Sequence, residues 1–125
     1  MKILVVDDEQ DVELLFRQKF RRELKKGLIE LAFAFSGEEA MQVLASGEAL
    51  DTVYIFSDIN MPGMSGIELL EKVNQAYPEI KVCMISAYHD SEHYDQAIAA
   101  GARQFFSKPI DFTSIKEEIH KYLNI

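Results

Sequence analysis

The sequence predicts an α/β fold, a parallel sheet covered by helices on both faces, and three observations support it. Strand-length apolar runs alternate with amphipathic helical stretches five times along the chain. Parallel strands need crossover connections, usually helical ones, and the right-handed crossover rule makes a doubly wound sheet the natural result. The unusual polar residues Asp7, Asp8, Asp58, Ser86 and Lys108 all stand where predicted strands end, and in such a sheet those ends share one rim. Periodicity alone leaves the strand order open.

Taken in order, residues 2–6 form a buried apolar strand. Residues 10–26 form a helix with Val12, Leu15, Phe16, Phe20 and Leu24 on one side. After Gly27, residues 28–35 read as a second strand. Ser36 and Glu39 have the spacing of a capping box and start a helix carrying Ala40, Val43 and Leu44, which Gly47 stops. Val53 to Phe56 is the apolar run of a third strand that ends before Asp58, and Pro62, Gly63 and Gly66 punctuate the turn beyond it. Ser65 and Glu68 form a second capping box, and Pro78 prevents that helix from continuing. Residues 80–86 are the fourth strand and residues 91–100 a helix stopped by Gly101. Residues 104–107 make a short fifth strand, and Asp111 caps a last helix bearing Ile115, Ile119 and Leu123.

At 125 residues the chain is expected to be one domain, residues 1–125, without linker or repeat. Its apolar content of 48% argues against disorder. With 13 basic and 21 acidic residues the formal net charge is −8, which argues against nucleic acid as a direct partner. No run has the length of a membrane helix, and Asp7-Asp8 interrupts the N-terminal apolar run too early for a signal peptide. The single Cys83 excludes an internal disulfide and, inside Val82-Cys83-Met84-Ile85, reads as a buried small hydrophobe. The expected setting is soluble and cytoplasmic. Arg17, Lys19, Arg21, Arg22, Lys25 and Lys26 cluster near the end of the first helix, where positive charge complements the helix dipole.

Three carboxylates at one rim repel one another, and a hard divalent cation removes that repulsion. Mg²⁺ favours one or two carboxylates with waters and phosphate oxygens, which suits Asp8 and Asp58 and leaves room for a phosphoryl group. Lys108 supplies a second positive charge and Ser86 a hydrogen-bond donor. Carboxylates are known nucleophiles that form aspartyl phosphates, so Asp58 is the candidate acceptor.

The set Asp7-Asp8, Asp58-Ile-Asn60-Met-Pro-Gly-Met-Ser-Gly66, Ser86-Ala87, Gly101-Ala102 and Lys108-Pro109 resembles the receiver domain of two-component response regulators along the whole chain. The resemblance implies a flavodoxin-like five-stranded sheet in the order 2-1-3-4-5 with five helices. It implies Asp58 as phosphoacceptor. It also implies Mg²⁺ held by Asp8, Asp58 and the backbone carbonyl of Asn60, with Asp7 acting through a water. Ser86 resembles the switch hydroxyl, Phe105 the switch aromatic (Tyr is common there), and Lys108 the phosphoryl partner, with a cis bond to Pro109. Asn60 and Tyr88 occupy positions that modulate autodephosphorylation, and a bulky Tyr88 would shield the phosphoryl group from water.

The implied partners are a histidine kinase or histidine phosphotransfer protein as donor, and a downstream protein target or an output domain as receiver of the signal. The resemblance leaves room for a phosphorylation-dependent homodimer. It fits a stand-alone receiver and a piece of a longer protein equally, and it describes a phosphoacceptor rather than an enzyme. The rival reading is a receiver-like interaction module that is never phosphorylated. A dehalogenase-type hydrolase would need a second Asp where Asn60 stands, and a flavodoxin would need a phosphate-cradling loop where Asp7-Asp8-Glu9 stands. His89 and His93 are four apart without an evident third ligand and read as exposed surface residues. Leu14 beside Leu15 makes the first helix more apolar than its buried stripe requires, a feature that a kinase-docking surface would explain.

Overall fold

The strands predicted from apolar runs pair in parallel into one sheet. The computed structural model describes residues 1–47, 50–87 and 91–124. Strands β1 (Lys2–Val6), β2 (Glu30–Ala34), β3 (Thr52–Asp58), β4 (Lys81–Ser86) and β5 (Gln104–Ser107) lie in the order β2-β1-β3-β4-β5. All four neighbouring pairs are parallel. Between β1 and β3 the winding reverses direction, which opens a crevice at their C-terminal ends.

Side chains alternate across the strands and divide the core in two. Leu4, Val6, Ile55, Val82 and Met84 face one way. There they meet α3 (Gly37–Ala45), α4 (Gly66–Ala76) and α5 (Ser91–Ala99) through Leu44, Leu69, Leu70, Val73 and Ala97. Ile3, Val5, Tyr54, Phe56, Cys83 and Ile85 face the other way, against α1 (Asp11–Lys19) and α6 (Phe112–Leu123). Aromatic rings dominate this second side. Phe16 stacks on Phe20 at 5.9 Å and meets Phe112 edge-on at 5.1 Å, geometries that add to the roughly 2–3 kcal/mol gained by burying each ring. Burial also lifts the Cys83 thiol to about 12, as befits a packing residue.

Capping follows the sequence closely. Ser36 Oγ accepts from the Glu39 amide at 3.0 Å, Ser65 Oγ from Glu68 at 3.2 Å, and Asp111 Oδ1 from Thr113 at 3.0 Å. The Glu39 carboxylate reaches one residue further back than a capping box requires and takes the Phe35 amide at 3.2 Å. That bond withdraws Phe35 from the sheet and ends β2 at Ala34. At the other end, the Leu28 amide donates to the Glu23 carbonyl at 3.0 Å, so β2 starts two residues later than the apolar run suggests.

The described residues form six helices rather than the five expected. The predicted helix over 10–26 breaks at Phe20 (φ −100°, ψ 18°) into α1 and α2 (Arg21–Lys25). Periodicity reads through the break because Phe16, Phe20 and Leu24 keep a four-residue spacing. The break turns Glu23 inward, 3.1 Å from His120 Nε2 and 3.5 Å from Lys116 Nζ on α6, while Leu24 is left half-buried. Burial pushes the Glu23 carboxyl up, but its backbone hydrogen bond and the His120 and Lys116 contacts hold it below 4.5. Basic residues occupy the last turns of both segments, as the dipole favours. No helix among the described residues is long and apolar enough to cross a membrane.

Buried Glu118 fastens α6 to the sheet. Tyr54 Oη donates to it at 2.6 Å, Gln104 Nε2 at 2.9 Å and Arg103 Nε at 3.4 Å. Burial raises this carboxyl, and the Tyr54 and Gln104 hydrogen bonds together with Arg103 outweigh that effect, so it sits below 4.5. Glu118→Ala leaves a buried tyrosine hydroxyl without its acceptor and is expected to cost about 3 kcal/mol, read as a lower urea midpoint at neutral pH. A lowered carboxyl stabilises the fold fully above its ordinary value and loses that contribution as pH falls through the folded value. The difference between wild type and variant therefore shrinks in urea titrations taken toward about pH 3. A pH-independent difference would show that packing, not this carboxylate, secures the helix.

Candidate functional site

The crevice at the winding reversal gathers residues from three strand ends. Asp7 follows β1; its amide donates to the Ala34 carbonyl at 3.1 Å, and its Oδ1 accepts from the Glu9 amide at 2.9 Å. Asp58 is the last residue of β3, which runs further than its apolar run suggests. Lys108 follows β5, and its amide donates to the Ser86 carbonyl at 2.9 Å, tying the loop after β5 to the end of β4. The Lys108 ammonium then stands 3.2 Å from Asp7 Oδ2 and 3.2 Å from Asp58 Oδ2. Asp7 and Asp58 are buried and Asp8 is exposed, and one carboxylate oxygen from each lies within 4.8 Å of the others. The Lys108–Pro109 bond is cis, as the resemblance implies.

Among the described residues, one ammonium paired with two of three clustered carboxylates leaves the crevice short of positive charge. Burial raises the Asp58 carboxyl above 3.8, with Lys108 pulling it back and Asp7 pushing it further up. Burial tends to lower Lys108, but Asp58 and Asp7 hold it above 10.5. A set of hard carboxylate oxygens that close, with an exposed member facing solvent, suits a divalent cation of the Mg²⁺ kind.

The end of β3 is shaped by a close approach. A Cβ on Gly66 would run into the Asp58 carbonyl oxygen and the Ile59 Cα, so only glycine lets α4 start there. The Gly66 amide uses that proximity to donate to the Ile59 carbonyl at 2.8 Å, and Ser57 Oγ donates to the Asp58 carbonyl at 2.9 Å. The sequence marks Gly66 only as turn punctuation, although a glycine straight after a capping serine is a signal that something passes close by.

The remaining predicted residues fall as follows. Ser86 is buried at the end of β4, beside Ser107 in register. Asn60 is exposed just past Asp58. Phe105 in β5 is half-buried, its ring edge-on to Tyr94 of α5 at 5.6 Å. Tyr88 and His89 lie outside the described residues, and His93 is half-buried rather than exposed. Beside the crevice a groove of about 620 Å³ runs between α1 and the loop after β5, lined in part by Val12, Leu15, Pro109, Ile110 and Phe112. Leu14, 70% exposed, lies on the same helix.

Residues 3–120 match the family model of the response regulator receiver domain. Sporulation initiation phosphotransferase F of Bacillus subtilis is 29% identical over 98% of this chain and 93% of its own length. The response regulator protein PilR of Pseudomonas aeruginosa is 32% identical over 99% of this chain, which spans only 26% of that longer relative. Among solved structures, the signal receiver domain of an HD domain-containing protein from Pseudomonas fluorescens superposes with a TM-score of 0.86 at 26% identity, covering 98% of this chain and 94% of that one. Strand order, acidic crevice, paired lysine and family match agree, and the chain belongs to the response regulator receiver domain family.

Proposed function

We propose that Asp58 accepts a phosphoryl group from a phosphohistidine of a kinase or phosphotransfer protein, or from a small acyl phosphate. The supporting observation is the single ammonium of Lys108 shared at 3.2 Å by Asp58 and Asp7 in an otherwise acidic crevice. An Asp58 carboxylate oxygen attacks phosphorus, the bond to the donor nitrogen or oxygen breaks, and the leaving group keeps the electron pair. Lys108 neutralises charge on a phosphoryl oxygen, and Ser86, at the adjoining strand end, donates a hydrogen bond to another. Asp8, Asp58 and the Asn60 carbonyl would hold Mg²⁺, with Asp7 reaching it through a water. When bound, the cation offsets negative charge between donor and carboxylate. The chain's own groups thus assist its phosphorylation and dephosphorylation without making it an enzyme acting on others. The donor protein docks along the groove between α1 and the loop after β5, which Leu15 lines, with exposed Leu14 next to it on the same helix.

The added charge favours an arrangement in which Ser86 and Lys108 close on the phosphoryl group and Phe105 repacks against its surroundings. The signal is a population shift, and inverting a 1:99 ratio takes about 5.5 kcal/mol of difference between the two arrangements. The repacked face then engages a downstream protein or an attached output domain.

Incubation with Mg²⁺ and acetyl phosphate followed by intact-mass measurement is expected to add one phosphoryl group. Asp58→Asn should stay unlabelled while keeping its circular dichroism spectrum. An unlabelled wild type would favour the phosphorylation-independent interaction module.

A carboxyl held above its unfolded value destabilises the ionised fold, and the folded chain takes up its proton first as pH falls, relieving the penalty just above the ordinary 3.8. Without metal at neutral pH, Asp58→Asn is therefore expected to melt higher than wild type by about 2–5 °C. Added Mg²⁺ should raise the wild-type midpoint and leave the variant's unchanged. Equal responses in the two proteins would place the cation elsewhere.

A further inference from the structure

The loop that carries Asn60 is clasped from outside the crevice. Its near end is fixed by the Gly66 amide on the Ile59 carbonyl at 2.8 Å and by burial of Ile59 and Met61. Its far end leans on the first turn of α3. The Met64 side chain rests on Gly37, where a Cβ would lie 2.9 Å from the Met64 sulfur. The Met64 amide donates to Glu38 Oε2 at 3.3 Å, and Gly63, with φ +77°, brings the backbone under that same carboxylate. Glu38 stands in the first turn of α3, yet its carboxylate bonds to another segment. Neighbouring Glu39 turns the other way, to Phe35.

We infer that Glu38 is a positioning residue for the cation, holding the 59–65 loop so that the Asn60 carbonyl faces the three aspartates. This deepens the proposed function and rests on its reading of the crevice as a Mg²⁺ site. A backbone carbonyl serves as a ligand only while its loop holds one orientation, and groups that orient ligands from behind change metal affinity without touching the metal. Hydrogen bonding, rather than charge, does the holding, because the acceptor meets a neutral amide.

The test compares Glu38→Ala with Glu38→Gln, which loses the charge but keeps a carbonyl acceptor. Glu38 is exposed, so both variants are expected to unfold near the wild-type urea midpoint. Titration calorimetry of the metal-free proteins with Mg²⁺ should show affinity weakened roughly threefold to tenfold in Glu38→Ala and within about twofold of wild type in Glu38→Gln. The Met64 amide should exchange with solvent faster in Glu38→Ala and at the wild-type rate in Glu38→Gln. Unchanged affinity in Glu38→Ala, or equal weakening in both variants, overturns the inference, the second outcome assigning the effect to charge. A wild type that binds no Mg²⁺ overturns instead the reading of the crevice itself.

Discussion

Lys108 is the counter-charge on which the crevice depends. It is a single ammonium that reaches two buried carboxylates from a different strand end. Asp7 follows β1, Asp58 ends β3 and Lys108 follows β5, so the pairing exists only because the winding places those ends along one rim. The arrangement is short of positive charge: Asp8 adds a third carboxylate to the two that Lys108 pairs with. Buried like charges cost folding free energy. The fold tolerates that cost at one point, where the exposed Asp8 opens the group to solvent, and supports it with a hydrophobic core on each face of the sheet.

The two faces hold their helices unequally. On the aromatic side, Glu118 binds α6 to β3 and β5 through Tyr54, Gln104 and Arg103, and Glu23 binds α6 to α2 through Lys116 and His120. On the aliphatic side, α5 contributes Ala97 as its one fully buried hydrophobic residue, and Tyr94 and Ile98 remain substantially exposed. Local opening is cheapest where few apolar contacts are buried. A strain applied at the ends of β4 and β5 is therefore relieved at α5 and at the Phe105–Tyr94 contact before it disturbs α6.

Much of this was legible from spacing. The five strands, the capping serines, the shared rim and the lysine before Pro109 all follow from strand-length apolar runs and local signals, which act over a few residues. The rest depends on contacts between distant segments. Nothing local distinguishes Phe20 as a break, because helical spacing continues through it. Glu23 and Glu118 sit at positions that read as solvated charge until α2, α6 and the sheet are assembled around them. Tyr54 reads as one more apolar strand residue, and its hydroxyl acquires meaning only from Glu118, 64 positions away. Gly66 and Glu38 are likewise visible as a turn glycine and a first-turn acid, and their partners, Asp58 and Met64, are set by how α3 and α4 flank β3.

Asp58 and Glu118 show why burial alone does not define a reactive carboxylate. Both are buried, and burial pushes both upward. Glu118 is surrounded by three donors and ends below its ordinary value, satisfied and fixed. Asp58 has the Ile59 amide and a lysine shared with Asp7, whose own charge repels it, and it ends above its ordinary value. A carboxylate with its lone pairs fully engaged gains little from a new bond, whereas one held in an unbalanced field gains by taking a cation, a proton or a phosphoryl group. The same side-chain chemistry thus serves as a structural tie in α6 and as an unbalanced charge at the end of β3. What separates the two is the number of donors that the fold supplies.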